Sequence, residues 1–136
     1  MMTAKEFLSQ AHVLERGIRT KQKRLANLKE LATKTTSTIS NMPRPETPDP
    51  QRKEDIMVDI ADAEKEIEAD RNALAEKRRD IIRVIAKLQD PIQMEVLTKL
   101  YIDYKPWKTV LQEVECCESH SYRAHRSALA EVEKLI

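Results

Sequence analysis

The residue types best equipped for chemistry lie in one run near the C-terminus: Cys116, Cys117, Ser119, His120, Tyr122, Arg123, His125, Arg126 and Ser127. Cys116, Cys117, His120 and His125 are ligand types for zinc. On a helix of 3.6 residues per turn, however, His120 and His125 point about 140° apart. A tetrahedral site needs its ligands to converge, so no metal is expected. Adjacent cysteines cannot staple separate parts of a fold, which fits a reducing compartment. No glycine-rich phosphate loop, no paired carboxylates in catalytic geometry and no Ser/Cys–His–Asp arrangement is visible. The expectation is a protein that is not an enzyme, with no cofactor and no small-molecule substrate.

What remains is a helix face. A helix beginning after Cys117 turns Ser119, His120, Tyr122, Arg123, Arg126 and Ser127 outward, and Ala124, Ala128, Leu129, Val132 and Leu135 inward. Arg123 and Arg126 suit guanine edges or phosphates, and His120 and Tyr122 suit phosphates. Two shorter helical patterns precede it. Pro91 fits the first turn of one, with Met94, Leu97, Leu100 and Tyr101 at helical spacing. After a connector, Ile102–Lys105, Pro106 opens the other, with Trp107, Val110, Leu111 and Val114. Short helix, tight turn, longer helix is the helix-turn-helix order, whose last helix enters the major groove of double-stranded DNA. Yet residues 90–136 hold six Lys and Arg against eight Asp and Glu, and a DNA-binding module is usually basic.

Residues 1–89 must carry this module. With 136 residues, 35% charged, 4% aromatic and one glycine, the composition is that of long helices rather than sheets. Apolar positions step by four and three from Phe7 through Ala11, Leu14, Ile18, Leu25, Leu28 and Ala32 to Ile39, with Lys21 and Thr35 as polar intrusions. Thr3 and Glu6 form a capping-box pair at the start. A second seam runs Ile56, Ile60, Ala63, Ile67, Asp70, Leu74, Lys77, Ile81, Val84, Leu88. Between the two, residues 42–51 hold four prolines and read as a linker. The fold class is thus all-α: an antiparallel helical hairpin arm, 1–89, about 55 Å long, then a three-helix module, 90–136. A turn at 47–48 sets Leu28 opposite Ile67, Leu14 opposite Ile81 and Phe7 opposite Leu88. Leu8, Leu31, Ile82 and Ile85 widen the stripe. Two helices alone are marginal, so a homodimer is expected. Gly17, off the seam, marks a weak point in the first helix.

The same register makes a basic patch of Arg16, Arg19, Lys23 and Arg24 with Lys77, Arg78, Arg79 and Arg83, a candidate for phosphate contacts from the arm. No apolar run approaches the roughly 18 residues of a membrane span, and no secretory h-region follows Met1. The expected location is the cytoplasm.

Leu97-x-x-Leu100-Tyr101, Trp107-x-x-Val110 and Tyr122-Arg123-x-His125-x-x-Ala128-Leu129-x-x-Val132 resemble the fourth conserved region of sigma factors. With T-A-K-E-F-L-S-Q-A at residues 3–11 and M-P-x-P at 42–45, nearly the whole chain resembles a family of small phage and prophage proteins of Gram-positive bacteria. That family is described as sigma-like transcriptional regulators. The resemblance implies a regulator in the bacterial host cytoplasm that acts on promoter DNA, RNA polymerase, or both. It also implies that Val110 and Val114 are core and that Trp107 anchors its helix on the preceding one. Five positions depart from the family pattern. Leu111 stands for alanine, Glu115 for the glycine of the turn, Cys117 for a serine N-cap, Ser121 for valine and Ala124 for leucine. All five bear on the angle between the helices: without glycine, Glu115 must take a positive φ or the turn must open. The alternative expectation is a module that has lost DNA binding and captures a host or phage protein instead.

Overall fold

The computed structural model describes residues 2–37 and 50–136. The described residues are helical with no strand. α1 spans Ala4–Ser37, α2 Pro50–Ala86, α3 Pro91–Leu97, α4 Trp107–Glu113 and α5 Glu118–Leu135. α1 and α2 pack together as the expected long hairpin. The turn at 47–48, Ile39 and the M-P-x-P segment fall outside the described residues. Pro50 and Gln51, expected in the linker, already belong to α2, because proline suits a first turn where its missing N–H is not needed. No helix among the described residues is long and apolar enough to cross a membrane.

Local chemistry fixes the helix starts. The Thr3 N–H donates to Glu6 Oε2 at 3.2 Å and the Glu6 N–H to Thr3 Oγ1 at 3.2 Å, the reciprocal capping box. Asp90 caps α3 by accepting from the Ile92 N–H at 2.9 Å, with Pro91 following in the first turn. Gly17 sits within α1 without a break. A Cβ there would meet nothing within 4 Å.

The chain forms two compact units, residues 1–15 with 73–136 and residues 16–72. In the first, one core gathers Ala4, Leu8 and Ala11 of α1, Ile81 and Ile85 of α2, Leu88, Leu97 of α3, and Ala128 and Val132 of α5. A second core holds Val96, Val110 and Val114, with Ile92, Leu100, Trp107 and Cys116 against it. α3 is the wall between them: Leu97 faces one core and Val96 the other. It continues as a π-helical turn, Thr98–Ile102, which carries into the expected connector. The wider turn sends Leu100 to the second core and Tyr101 and Ile102 to the first.

In the second unit the buried apolar side chains are Ile18, Ile56 and Ile67, with Leu25, Leu28, Ile60 and Ala63 half-buried. Lys21, the polar intrusion in the first seam, meets Asp70 of the second at 2.5 Å and Glu66 at 2.7 Å. Hydrogen bonds to those carboxylates, Asp70 first, raise its ammonium pKa. Lys29 pairs with Glu64 at 3.3 Å.

Three expectations need correction. Leu31 is 40% exposed and Ile82 50%, so neither widens the stripe of a single chain. Leu135, expected inward, is 39% exposed.

Candidate nucleic-acid interface

α4 and α5 stand in helix-turn-helix order, and the turn between them solves the missing glycine in its own way. Val114 leaves α4 extended, with φ −79° and ψ 120°. The Cys116 N–H then donates to the Val114 carbonyl at 2.8 Å. Tyr104 is the one non-glycine residue at positive φ among those described, so Glu115 keeps a negative φ. An i to i+2 bond around such a residue is an inverse γ-turn, open to any side chain. Cys117 follows at φ −66° and ψ 156° as the α5 N-cap, without a side-chain capping bond. Its thiol pKa lies below the usual value, chiefly through the Ser119 hydroxyl 3.6 Å from its sulfur, with the nearby His120 backbone also favouring the thiolate.

Ser121, where the resemblance expects valine, is fully buried. Its hydroxyl donates to the Cys117 carbonyl at 3.2 Å and lies 3.4 Å from Cys116 Sγ. The polar group is thus satisfied within the first turn. Ser121, Ala124, Ala128 and Val132 form the buried stripe of α5.

Opposite that stripe, Ser119, His120, Tyr122, Arg123, Arg126 and Ser127 are exposed, spread over about 160° at 3.6 residues per turn. They occupy the first three turns, with Glu118 exposed beside them in the first; Ala130, Glu131, Glu133, Lys134 and Leu135 are exposed beyond. Arg123 Nε donates to the Ser119 carbonyl at 3.4 Å. Tyr122 is the least available of the six, since its ring leans on Trp107 with centroids 4.7 Å apart. Trp107 also meets the edge of His125 at 5.0 Å. It therefore ties α4 to α5 as well as to the α3 side of the second core.

His125 turns away from the outer face. Its Nε2 lies 2.9 Å from the Tyr101 hydroxyl, and burial, then the Lys5 charge, lower its pKa. Burial raises the Tyr101 phenol. No group of three or more His, Cys, Asp or Glu among the described residues is placed to hold a metal ion.

Behind the face, Glu113 at the end of α4 accepts from Lys99 at 2.6 Å and from Lys105 at 2.8 and 2.9 Å. Those bonds, Lys105's first, hold its carboxyl below the usual range. They fasten the π-turn and the connector to α4. In the same unit Tyr104, at φ 57°, lies under the Arg78 guanidinium at 5.5 Å and 4.9 Å from the His12 ring. Arg78 Nη2 donates to the Ile102 carbonyl at 3.1 Å. Burial raises the Tyr104 phenol, with Arg78 and Glu15 as its charged neighbours. Sequence reasoning missed this cluster, which joins residues more than sixty positions apart and shows no short-range pattern.

The arm's basic residues divide evenly between the units. Arg16, Arg19, Lys23 and Arg24 belong to the second, all exposed. Of the four in the first, Arg79 and Arg83 are exposed, and Arg83 lies 3.9 Å from Asp80. Lys77 lines a groove of about 670 Å³ with Thr3, Ser9 and Leu14. Arg78 is engaged with Tyr104 and Ile102.

Against known proteins, the family model described as "Protein of unknown function (DUF1492)" matches residues 46–133. No curated protein and no solved structure matches the chain.

Proposed function

Since the chain belongs to DUF1492, a family of proteins of unknown function, we propose its function from its own geometry: a DNA-binding transcriptional regulator, phage- or prophage-borne, that uses no cofactor and catalyses no reaction. α5 enters the major groove, Arg123 and Arg126 read base edges or phosphates, and Ser119, His120 and Ser127 set the register on the backbone. The observation that carries this reading is the outer face of α5. Two arginines, two serines and a histidine stand exposed on its first three turns, with a fully buried stripe behind them. Promoter DNA, RNA polymerase or both are the partners.

The experiment is fluorescence anisotropy against DNA fragments from the gene's own genome across a salt series. Regulator function requires affinity that falls with salt and prefers particular fragments. Arg123→Ala with Arg126→Ala should then weaken the preferred fragment by tenfold or more, at about 1–3 kcal/mol per good arginine–guanine pair. Absence of binding at low salt would overturn it.

One observation favours a second reading, a protein-interaction module. Residues 90–136 carry more acids than bases, eight against six, which weakens long-range attraction to a phosphate backbone. Under that reading the same double variant loses a protein partner and no DNA.

A further inference from the structure

The unit formed by residues 16–72 is polarised across its width. Its α1 segment, 16–37, holds seven Lys and Arg against one glutamate, and its α2 segment, 50–72, eight Asp and Glu against four Lys and Arg. Across the facing edges of the two segments Lys21 pairs with Asp70 and Glu66, and Lys29 with Glu64. Arg16, Lys23 and Arg24 are exposed and enter no ion pair with a described residue, and Asp59 and Asp62 are exposed likewise. The acids are spread evenly along α2, but those nearer Asn72 are mostly engaged: Glu64, Glu66 and Asp70 already pair with Lys29 and Lys21, and Lys65 and Arg71 lie among them, whereas Glu54–Asp62 holds four acids and no cation. Lys21 stands level with Asp70, so the Arg16–Arg24 end of α1 lies beside the Asn72 end of α2, and Glu54–Asp62 lies at the far end.

We infer that this unit is a self-complementary docking surface for a second copy of the chain, with the two arms running in opposite directions. A two-fold axis across the arms places the basic α1 segment of each copy on the acidic α2 segment of the other, twice over. This satisfies the requirement of an isologous interface that one surface carry both halves of the match. Arms laid side by side in the same direction would instead bring each basic segment to the Arg71 end of α2. The need for cover is independent of charge. Among its described residues the unit buries Ile18, Ile56 and Ile67, while Leu31, Met57 and Val58 stay 40%, 54% and 53% exposed. A four-helix arrangement shields what a two-helix hairpin leaves in water.

A nucleic acid fits the basic segment less well. Packed helices lie about 8–10 Å apart, roughly a Debye length at physiological salt, so a phosphate backbone on α1 would also feel the carboxylates of α2.

The test is sedimentation equilibrium on the full chain and on two charge-reversed variants, Arg16→Glu/Lys23→Glu and Asp59→Lys/Asp62→Lys, with circular dichroism to confirm that each stays helical. Wild type should dimerise, and more weakly as salt rises. Each variant alone should dissociate about tenfold more readily or worse, since two charges are reversed and every reversed contact occurs twice across the two-fold axis. Mixed in equal amounts, the variants should form a heterodimer close to wild-type affinity, because reversed α1 then meets reversed α2 while the native pair faces on the other side. A monomeric wild type, or a dimer indifferent to both reversals, would overturn the inference. So would an α1 reversal that abolishes binding to non-specific duplex DNA and leaves the dimer intact. A helix-turn-helix that fails to bind DNA leaves this result unaffected, so the two readings fail separately.

Discussion

Ile81 and Ile82 are neighbours in α2 with the same side chain and the same helix propensity, yet Ile81 is 0% exposed and Ile82 50%. Replacing each with alanine isolates burial. Ile81→Ala deletes three carbons from the larger core, about 2.4 kcal/mol at roughly 0.8 kcal/mol per buried methylene. The cavity among Leu8, Ile85 and Leu97 adds about 1 kcal/mol if it collapses only in part, and alanine's better helix propensity returns about 0.4 kcal/mol. The net loss is about 3 kcal/mol. At Ile82 the transfer contribution halves, no cavity forms and the same propensity gain applies, so the loss stays below about 1 kcal/mol. Urea unfolding followed by circular dichroism at one fixed protein concentration reads both, with the slope checked for constancy. Equal losses at the two positions would refute the reasoning. They would mean that Ile82 is covered in solution, and that the wider seam suggested by its sequence position is real.

Three other outcomes follow from the geometry. Arg78→Lys keeps the charge but loses the bond to the Ile102 carbonyl and the stack on Tyr104; it should cost about 1–2 kcal/mol in the same unfolding assay and leave DNA affinity unchanged. Burial depresses the His125 pKa, so its contribution to stability is full above the unfolded value of about 6.5. That contribution declines as pH falls through this value, because the unfolded chain takes up the proton first. His125→Gln should flatten that decline, seen as a shrinking difference between wild-type and variant unfolding midpoints at acid pH. Gly17→Ala, in a helix with open space at the Cβ, should raise stability by about 0.5–1 kcal/mol in thermal unfolding.

The long helices were legible because their information is local. The four-three spacing, the Thr3–Glu6 box and Pro91 each act within a turn or two of the residue that signals them. The outward face of α5 was legible for the same reason, since one helix sorts its own polar and apolar sides. Illegible features depend on partners far along the chain. Leu31 and Ile82 flank the seams and Leu135 follows the inner face of α5, yet all three stand exposed. Ser121, standing where the resemblance expects valine, read as a departure bearing on the helix angle, yet its hydroxyl bonds back to the Cys117 carbonyl and it is fully buried. Arg78 looked like a surface cation until Tyr104, at positive φ, brought its ring beneath it. The α4–α5 turn was foreseen as strained or open, and the actual answer, a γ-turn at Glu115, needs no special residue.

The π-helical turn at Thr98–Ile102 bears on how this chain tolerates insertions and deletions. A π-turn is an α-helix holding one surplus residue. Loss of one residue there would restore a regular α ladder, and because the wider turn already absorbs the surplus residue, the chain leaving Ile102 would keep roughly its phase relative to Leu97. A further insertion has no such outlet: at about 100° per residue it would turn Leu100 from the second core and Tyr101 from His125. Length is therefore constrained at this point more tightly against gain than against loss. Among relatives, one-residue deletions should outnumber insertions within Thr98–Ile102.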